Sequence, residues 1–335
     1  MLEALTTARK STMRAVVCRR YGPPDALEIE EIEMPELSDD RVLVRVRASS
    51  VNPADYYSFK GGMARLFGSG ILRPKSPLVG TDLAGTVEAV GKNVTQFRPG
   101  DEVFGARSGA FAEYANPMED KLVLKPANVT FEQAAGVPIA ALTALQALRD
   151  KGHVKTGQKV LINGAAGGVG TFAVQIAKAF GAEVTGVVST KNVEQTRRLG
   201  ADHVVDRTQE DFVKRGQLYD LVLDVAGDRS ISDSRRVLVP EGTLVLVGAV
   251  LSMRGGFIGL ALRLLKAKLM SKFTSKKSVF FIAKLTKEDL GVMKDLMESG
   301  KVTTVIDRSY PLDEVSEAFR YWERRHATGK IAIVV

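Results

Sequence analysis

Residues Lys159–Gly170 read KVLINGAAGGVG: a short β-branched strand, a glycine-rich turn and the start of a helix, with no break between them. The spacing Ala165-x-Gly167-x-x-Gly170 is a dinucleotide-binding fingerprint with alanine in its first position. Glycine at Gly167 lets the backbone approach a pyrophosphate, and Gly170 lets the helix pack closely on the strand. Gly168 and Val169 open the helix, whose N–H groups and partial positive charge favour phosphate. Alone, such a cluster is also an ordinary turn. The strand before it, the helix after it and a second strand at Glu183–Val188 favour the dinucleotide reading.

Outward from this loop the chain divides in two. Downstream, strand signals at Lys159–Ile162, Glu183–Val188, His203–Val205, Leu221–Val225 and Thr243–Val250 alternate with helical ones at Val169–Phe180 and Asn192–Leu199. That rhythm predicts a doubly wound parallel sheet with helices on both faces. Upstream, short strands are expected at Leu27–Ile32, Arg41–Val51, Leu83–Val90, Glu102–Phe104, Phe111–Tyr114 and Leu122–Leu124, punctuated by Gly and Pro. They predict a mainly β, barrel-like domain. Phe131–Arg149 reads as helix offset at Pro138, and Lys287–Ser299 and Leu312–Arg324 as later helices. Strands return at Val302–Ile306 and Lys330–Val335. The fold class is therefore α/β, with residues 1–130 and 303–335 forming the β domain and 131–302 the cofactor domain.

The end of the second strand discriminates between cofactors. An enzyme for NAD places an acid there to accept the ribose hydroxyls. Here Ser189-Thr190-Lys191 follows, with no carboxylate before Glu194, and Arg207 follows the third strand. A 2′-phosphate suits Ser189, Lys191 and Arg207, so NADPH is the expected cofactor.

The 335 residues are 45% hydrophobic and 26% charged, which excludes disordered and fibrous classes. The charge-free stretches Gln133–Leu148 and Val160–Ala177 are interrupted by Gly, Pro or polar residues, unlike a bilayer-spanning helix. The first thirteen residues have no apolar run of signal-peptide length, so a cytoplasmic location is expected. The single cysteine, Cys18, lies in an apolar run and reads as an inert buried thiol.

Four further motifs bear on the family: Val51-Asn52-Pro53-Ala54-Asp55, Gly80-Thr81-Asp82-Leu83-Ala84-Gly85, Arg98-Pro99-Gly100-Asp101-Glu102-Val103 and the closing Gly329-Lys330. With the glycine loop, they resemble the medium-chain dehydrogenase/reductase family, in its zinc-free quinone oxidoreductase (zeta-crystallin-like) branch, from about Met13 to Val335. The resemblance implies a GroES-like catalytic domain, a Rossmann domain inserted before its last strands, a cleft between them and a homodimer. It also implies that Asn52 and Tyr57 line the catalytic cleft, and that Thr143, Gly248, Phe281 and Lys330 lie beside the cofactor. Ordinary readings compete with these, since Asn-Pro starts turns and a lone Tyr is commonly a packed aromatic.

Zinc-dependent members of that family carry His-Glu where this chain has Thr81-Asp82, and a four-cysteine lobe where only six residues separate Phe104 from Phe111. The three histidines are scattered without ligand spacing. No metal is expected. A chain without a Lewis acid is suited to acceptors that delocalise incoming hydride charge, a quinone or an enone, rather than to alcohol oxidation. Quinone reduction is the leading expectation, alkenal reduction the alternative within the same chemistry.

The formal charge of +8 is concentrated in part in Arg254–Lys277, which has seven basic residues and no acid. A membrane-surface helix would segregate charge from its Leu and Phe residues, and here the charges spread around the circumference. An insertion over the cleft or at a subunit interface is the favoured reading. Nucleic-acid binding has charge but no recognition motif in its support. The alternative of another class is a low-turnover NADPH sensor or a peripheral membrane or RNA-binding protein.

Overall fold

The structure, a computed structural model, describes residues 11–61, 70, 73–247, 275–324 and 327–335. Gly248 and residues 254–274 of the basic segment lie outside the described residues. Strands β1 (Thr12–Val17) and β2 (Glu28–Glu33) form an antiparallel ladder. A larger sheet is centred on β3 (Val42–Ser50), where Val42, Val44 and Val46 are buried and Arg45 and Arg47 exposed. This alternation packs the valines on Leu83, Val87, Val103 and Leu122, while the arginines stay in water. The sheet continues through β4 (Asp82–Val90), β5 (Glu102–Ala106) and β7 (Leu122–Leu124), with β6 (Tyr114–Ala115) pairing β3.

Its other flank comes from the end of the chain. Strand β15 (Lys330–Val334) pairs antiparallel with β3 and parallel with β14 (Ile306–Pro311). Helix α1 (Pro53–Lys60) follows β3 directly, with proline in its first turn where no N–H partner is needed. Helices α2 (Phe131–Ala135) and α3 (Pro138–Gln146) are offset at Pro138, and Thr130 and Gln133 cap α2 reciprocally.

The second sheet comprises β8 (Lys159–Asn163), β9 (Glu183–Val188), β10 (His203–Asp206), β11 (Tyr219–Asp224), β12 (Leu238–Leu246) and β13 (Lys277–Phe280), in the order β10-β9-β8-β11-β12-β13 with every pairing parallel. Both faces are covered. Val160, Ile162, Leu221 and Leu223 pack toward α3, α4 (Gly168–Ala179) and α7 (Lys287–Glu298), and Leu161 and Val222 toward α6 (Ile231–Arg236). Helix α5 (Val193–Arg198) connects β9 to β10, and α8 (Val315–Glu323) precedes β15. The strand order reverses between β8 and its neighbours β9 and β11, the place where open parallel sheets take ligands. Among the described residues no helix is long and apolar enough to cross a membrane.

Two expected strands differ. Val302–Ile306 is not a strand before Ile306, because Thr303 pairs both backbone groups with the side-chain amide of Gln175 on α4. Phe111–Tyr114 shortens to Tyr114–Ala115, because Phe111 divides its backbone between Val16 and Val79.

The approach to β15 is sterically demanding. Gly329 has φ +85, and a Cβ there would lie 2.4 Å from the Val305 carbonyl oxygen. Its N–H donates to Ala166 O at 2.8 Å, joining the glycine loop to the end of the first sheet. Gly329→Ala should therefore lower stability by about 1–3 kcal/mol in urea unfolding; an unchanged midpoint would show that this junction relaxes freely.

Candidate active site

The first residue of β4, Asp82, is completely buried. Pairing with Ser50 on one side and Ala106 on the other holds its backbone. Its Oδ2 accepts from Ser50 Oγ (2.7 Å) and Asn52 Nδ2 (2.8 Å), and its Oδ1 accepts from the Ile139 N–H (3.1 Å) in the first turn of α3. The helix N-terminus favours that carboxylate. Lys330, also buried, puts Nζ 3.6 Å from Asp82 Oδ2 and donates to Asn52 Oδ1 (2.6 Å) and Val51 O (3.2 Å). Burial pushes Asp82 up and Lys330 down, and each is opposed chiefly by the charge of the other.

Asn52 links this pair to a second carboxylate. Its backbone N–H donates to Asp55 Oδ2 (3.1 Å), closing the N-terminus of α1, and Thr81 Oγ donates to Asp55 Oδ1 (2.6 Å). Asp55 is 3% exposed. Burial raises its pKa to about 7, helped by the charge of Asp82 and opposed by the Thr81 bond and Lys330. Asp55 and Thr81 line a cavity of about 270 Å³ together with Ser58, Phe59, Leu78 and Ser108.

The glycine loop abuts the same network. Gly167, the N-cap of α4, pairs with Gly329 in a parallel bridge, and a Cβ on Gly168 would lie 3.1 Å from Lys330 Cδ. A Cβ on Gly170 would lie 2.1 Å from Gly164 O, so the helix rests on the turn as the fingerprint requires. At Gly167, among the described residues beyond its chain neighbours, the nearest atom to such a Cβ is Gly164 O at 3.7 Å, which leaves room for a phosphate over the helix N-terminus. These residues fit a dinucleotide. Thr143 lies one turn beyond Ile139 on α3, its hydroxyl bonded to Ile139 O (2.6 Å).

Ser189 and Arg207 are brought together at neighbouring strand ends, where the Arg207 N–H donates to Val188 O (2.8 Å) and Lys191 follows in the same turn. The Arg207 guanidinium lies 3.6 Å from Asp228. Asp206, paired with Val188, adds a carboxylate that the strand-end reading missed. It accepts from the Thr208 N–H (3.0 Å) and hydroxyl (2.7 Å), and its pKa is lowered first by a hydrogen bond from Thr190. Its neighbour Arg207, already named for this site, was the signal that could have found it.

Tyr57, Phe281 and Asn52 each have protein partners. Tyr57 packs edge-on against Tyr56 (5.2 Å between ring centroids) and is not among the residues lining the cavity. Phe281 packs on the main core, with Lys151 Nζ 5.9 Å from its ring. The Asn52 amide is engaged at both ends within the network. Sequence reasoning gave no role to Asp55, Thr81 or Asp82, although an acid opening an apolar strand at Asp82 was a usable signal.

Residues 38–127 match the alcohol dehydrogenase GroES-like domain, and residues 199–333 match a model described as zinc-binding dehydrogenase. The chain is 33% identical to the NADPH-dependent alkenal/one oxidoreductase of Arabidopsis thaliana chloroplasts, over 96% of its own length and 79% of the relative's. It is 35% identical to the chloroplast envelope quinone oxidoreductase homolog of the same plant, over 96% and 98%. It belongs to the medium-chain dehydrogenase/reductase family. The solved quinone oxidoreductase from Coxiella burnetii superposes with a TM-score of 0.84 at 31% identity, covering 97% of this chain and 99% of that one. Within the family the chain lies in the quinone oxidoreductase branch, an oxidoreductase acting on small molecules. The second domain's description implies zinc, for which the described residues offer no ligand set. Thr81 and Asp82 are bonded into the network, and among the described residues no group of three His, Cys, Asp or Glu side chains converges.

Removing one member of a buried ion pair leaves the other uncompensated. Lys330→Met should cost about 3 kcal/mol in equilibrium unfolding. The double variant K330M/D82N should recover most of that loss. Additive losses would show that the two charges act independently.

Proposed function

We propose that the chain is a zinc-independent, NADPH-dependent oxidoreductase that delivers hydride to a quinone. The open helix N-terminus at Gly167, held against Lys330 at the edge of a polar network, supports the dinucleotide, and the likeness to quinone oxidoreductases supports the acceptor. Residues 1–130 and 303–335 act as the catalytic part and 131–302 as the cofactor part. NADPH would supply the hydride.

Gly167, Gly168 and Val169 would hold the pyrophosphate, and Ser189, Lys191 and Arg207 the 2′-phosphate. Thr143, Phe281, Gly248 and Lys330 would border the nicotinamide. Asn52 would orient Lys330 and Asp82, and Tyr57 would line the catalytic part beside Tyr56. With no metal to polarise the acceptor, the protein's part is to bind, orient and exclude water. A homodimer in the cytoplasm completes the proposal. Among the described residues strand β13 is the last of its sheet, and Ile282 just beyond it is 77% exposed, which suits a subunit contact.

Reduction of a 2-alkenal is the second reading, supported by the likeness to the alkenal/one oxidoreductase. NADPH oxidation by the purified protein against matched quinones and 2-alkenals separates the two, with NADH as control. Quinone-selective turnover favouring NADPH is expected, and turnover confined to alkenals would select the second reading. Lys191→Ala should raise KM for NADPH about tenfold, the equivalent of one charge-assisted bond, and leave that for NADH unchanged. Equal effects on both would remove Lys191 from the phosphate site.

A further inference from the structure

Hydride addition to a quinone or enone leaves an anion that needs one proton to complete the reduction. We propose that Asp55 and Thr81 form the relay that supplies that proton, with Asp55 as the buried source and Thr81 as the group that hands it to the acceptor in the cavity. The inference rests on the hydride-transfer reading above.

The geometry carries it. Thr81 Oγ lies 2.6 Å from Asp55 Oδ1, and both residues line the same cavity of about 270 Å³. The other carboxylate oxygen, Oδ2, is occupied by the Asn52 N–H, which leaves Oδ1 as the oxygen facing the hydroxyl. A proton on Oδ1 donates to Thr81 Oγ, and the threonine hydrogen is then directed into the cavity. As the hydride adds with its electron pair, the Thr81 O–H bond breaks toward the acceptor anion. A new O–H bond forms on Thr81 with the proton of Asp55. Asp55 is left as a carboxylate that still accepts from Asn52 and Thr81, and it is reloaded from water. Each turnover consumes one hydride and one proton and leaves the protein unchanged.

The groups facing Asp55 suit this cycle. Asp82 disfavours its charge, while Lys330, Thr81 and the Asn52 N–H favour it. With burial the largest influence, its pKa rises from 3.8 to about 7, so acid and carboxylate interconvert near neutrality. Lys330 sits closest to Asn52 and Asp82, and so tempers Asp55 without holding it permanently ionised. Cys18 and Lys75 are the other titratable residues on the cavity wall.

Two measurements test the relay. Difference infrared spectroscopy of wild type against Asp55→Asn, without cofactor, should show a protonated carboxyl band that is lost on raising the pH through about 7. Loss of the band near pH 4 overturns the proposal. In NADPH-dependent turnover with quinone or alkenal, the acid form is the active one, so wild-type kcat should fall as pH rises through that range. D55N and Thr81→Val should lower kcat about a hundredfold and flatten the profile, with KM for NADPH unchanged. Thr81→Ser should restore both rate and profile, which a purely structural role for Thr81 does not predict. Wild-type kcat and pH dependence in D55N or T81V overturn the relay alone. A wild type that binds NADPH and reduces neither acceptor class overturns the reading beneath it.

Discussion

The buried pair of Asp82 and Lys330 is the constraint on which the rest of the cleft depends. Taking an ammonium and a carboxylate out of water costs several kcal/mol per ion, and mutual attraction offsets this only when the remaining donors and acceptors are satisfied. Here they are. Asp82 receives Ser50, Asn52 and the Ile139 N–H, and Lys330 reaches Asn52 and Val51. The partners come from β3, β4, α3 and β15, so β15 must enter its sheet in one register for the charges to meet. A one-residue slip would turn the ammonium to the opposite face and leave Asp82 unpaired.

That register also places the cofactor loop. Gly329 precedes Lys330, and its N–H is taken by Ala166 within the glycine turn. The strand end that completes the ion pair thus holds the N-terminus of α4 beside the polar network. Asp55, bonded to Asn52, and Thr81 carry the network on to the cavity wall. Glycine turn, charged centre and cavity wall follow one another through hydrogen-bonded neighbours, an arrangement that suits a bound dinucleotide facing a small acceptor.

Local features were legible in the sequence. The strand–turn–helix at Lys159–Gly170 appears as read, as do the alternation of β3 and the offset of two helices at Pro138. What escaped depended on distant partners. Nothing near Val302–Thr304 announces that Gln175 will take its backbone groups in place of a strand. Asp206 was passed over although its neighbour Arg207 was named, and the β9–β10 register sets it against Val188. Asp55 and Asp82 were visible only as parts of family motifs. Their chemistry comes from burial and from Lys330 at the other end of the chain, neither of which a local window contains.

The claim that the Gly167 turn cradles a dinucleotide phosphate is tested most directly by calorimetric titration of NADPH into wild type and Gly167→Val. Gly167 has φ −79 and ψ 176, a backbone any residue adopts, and among the described residues beyond its chain neighbours a Cβ there would meet Gly164 O at 3.7 Å. Gly167 is the N-cap of α4, so the substitution should cost about 1 kcal/mol of stability while leaving the fold intact, and it fills the space assigned to phosphate. The account predicts tight binding by wild type and a loss of at least about a hundredfold in the variant, the equivalent of roughly 3 kcal/mol. Equal affinity in the two proteins would contradict it.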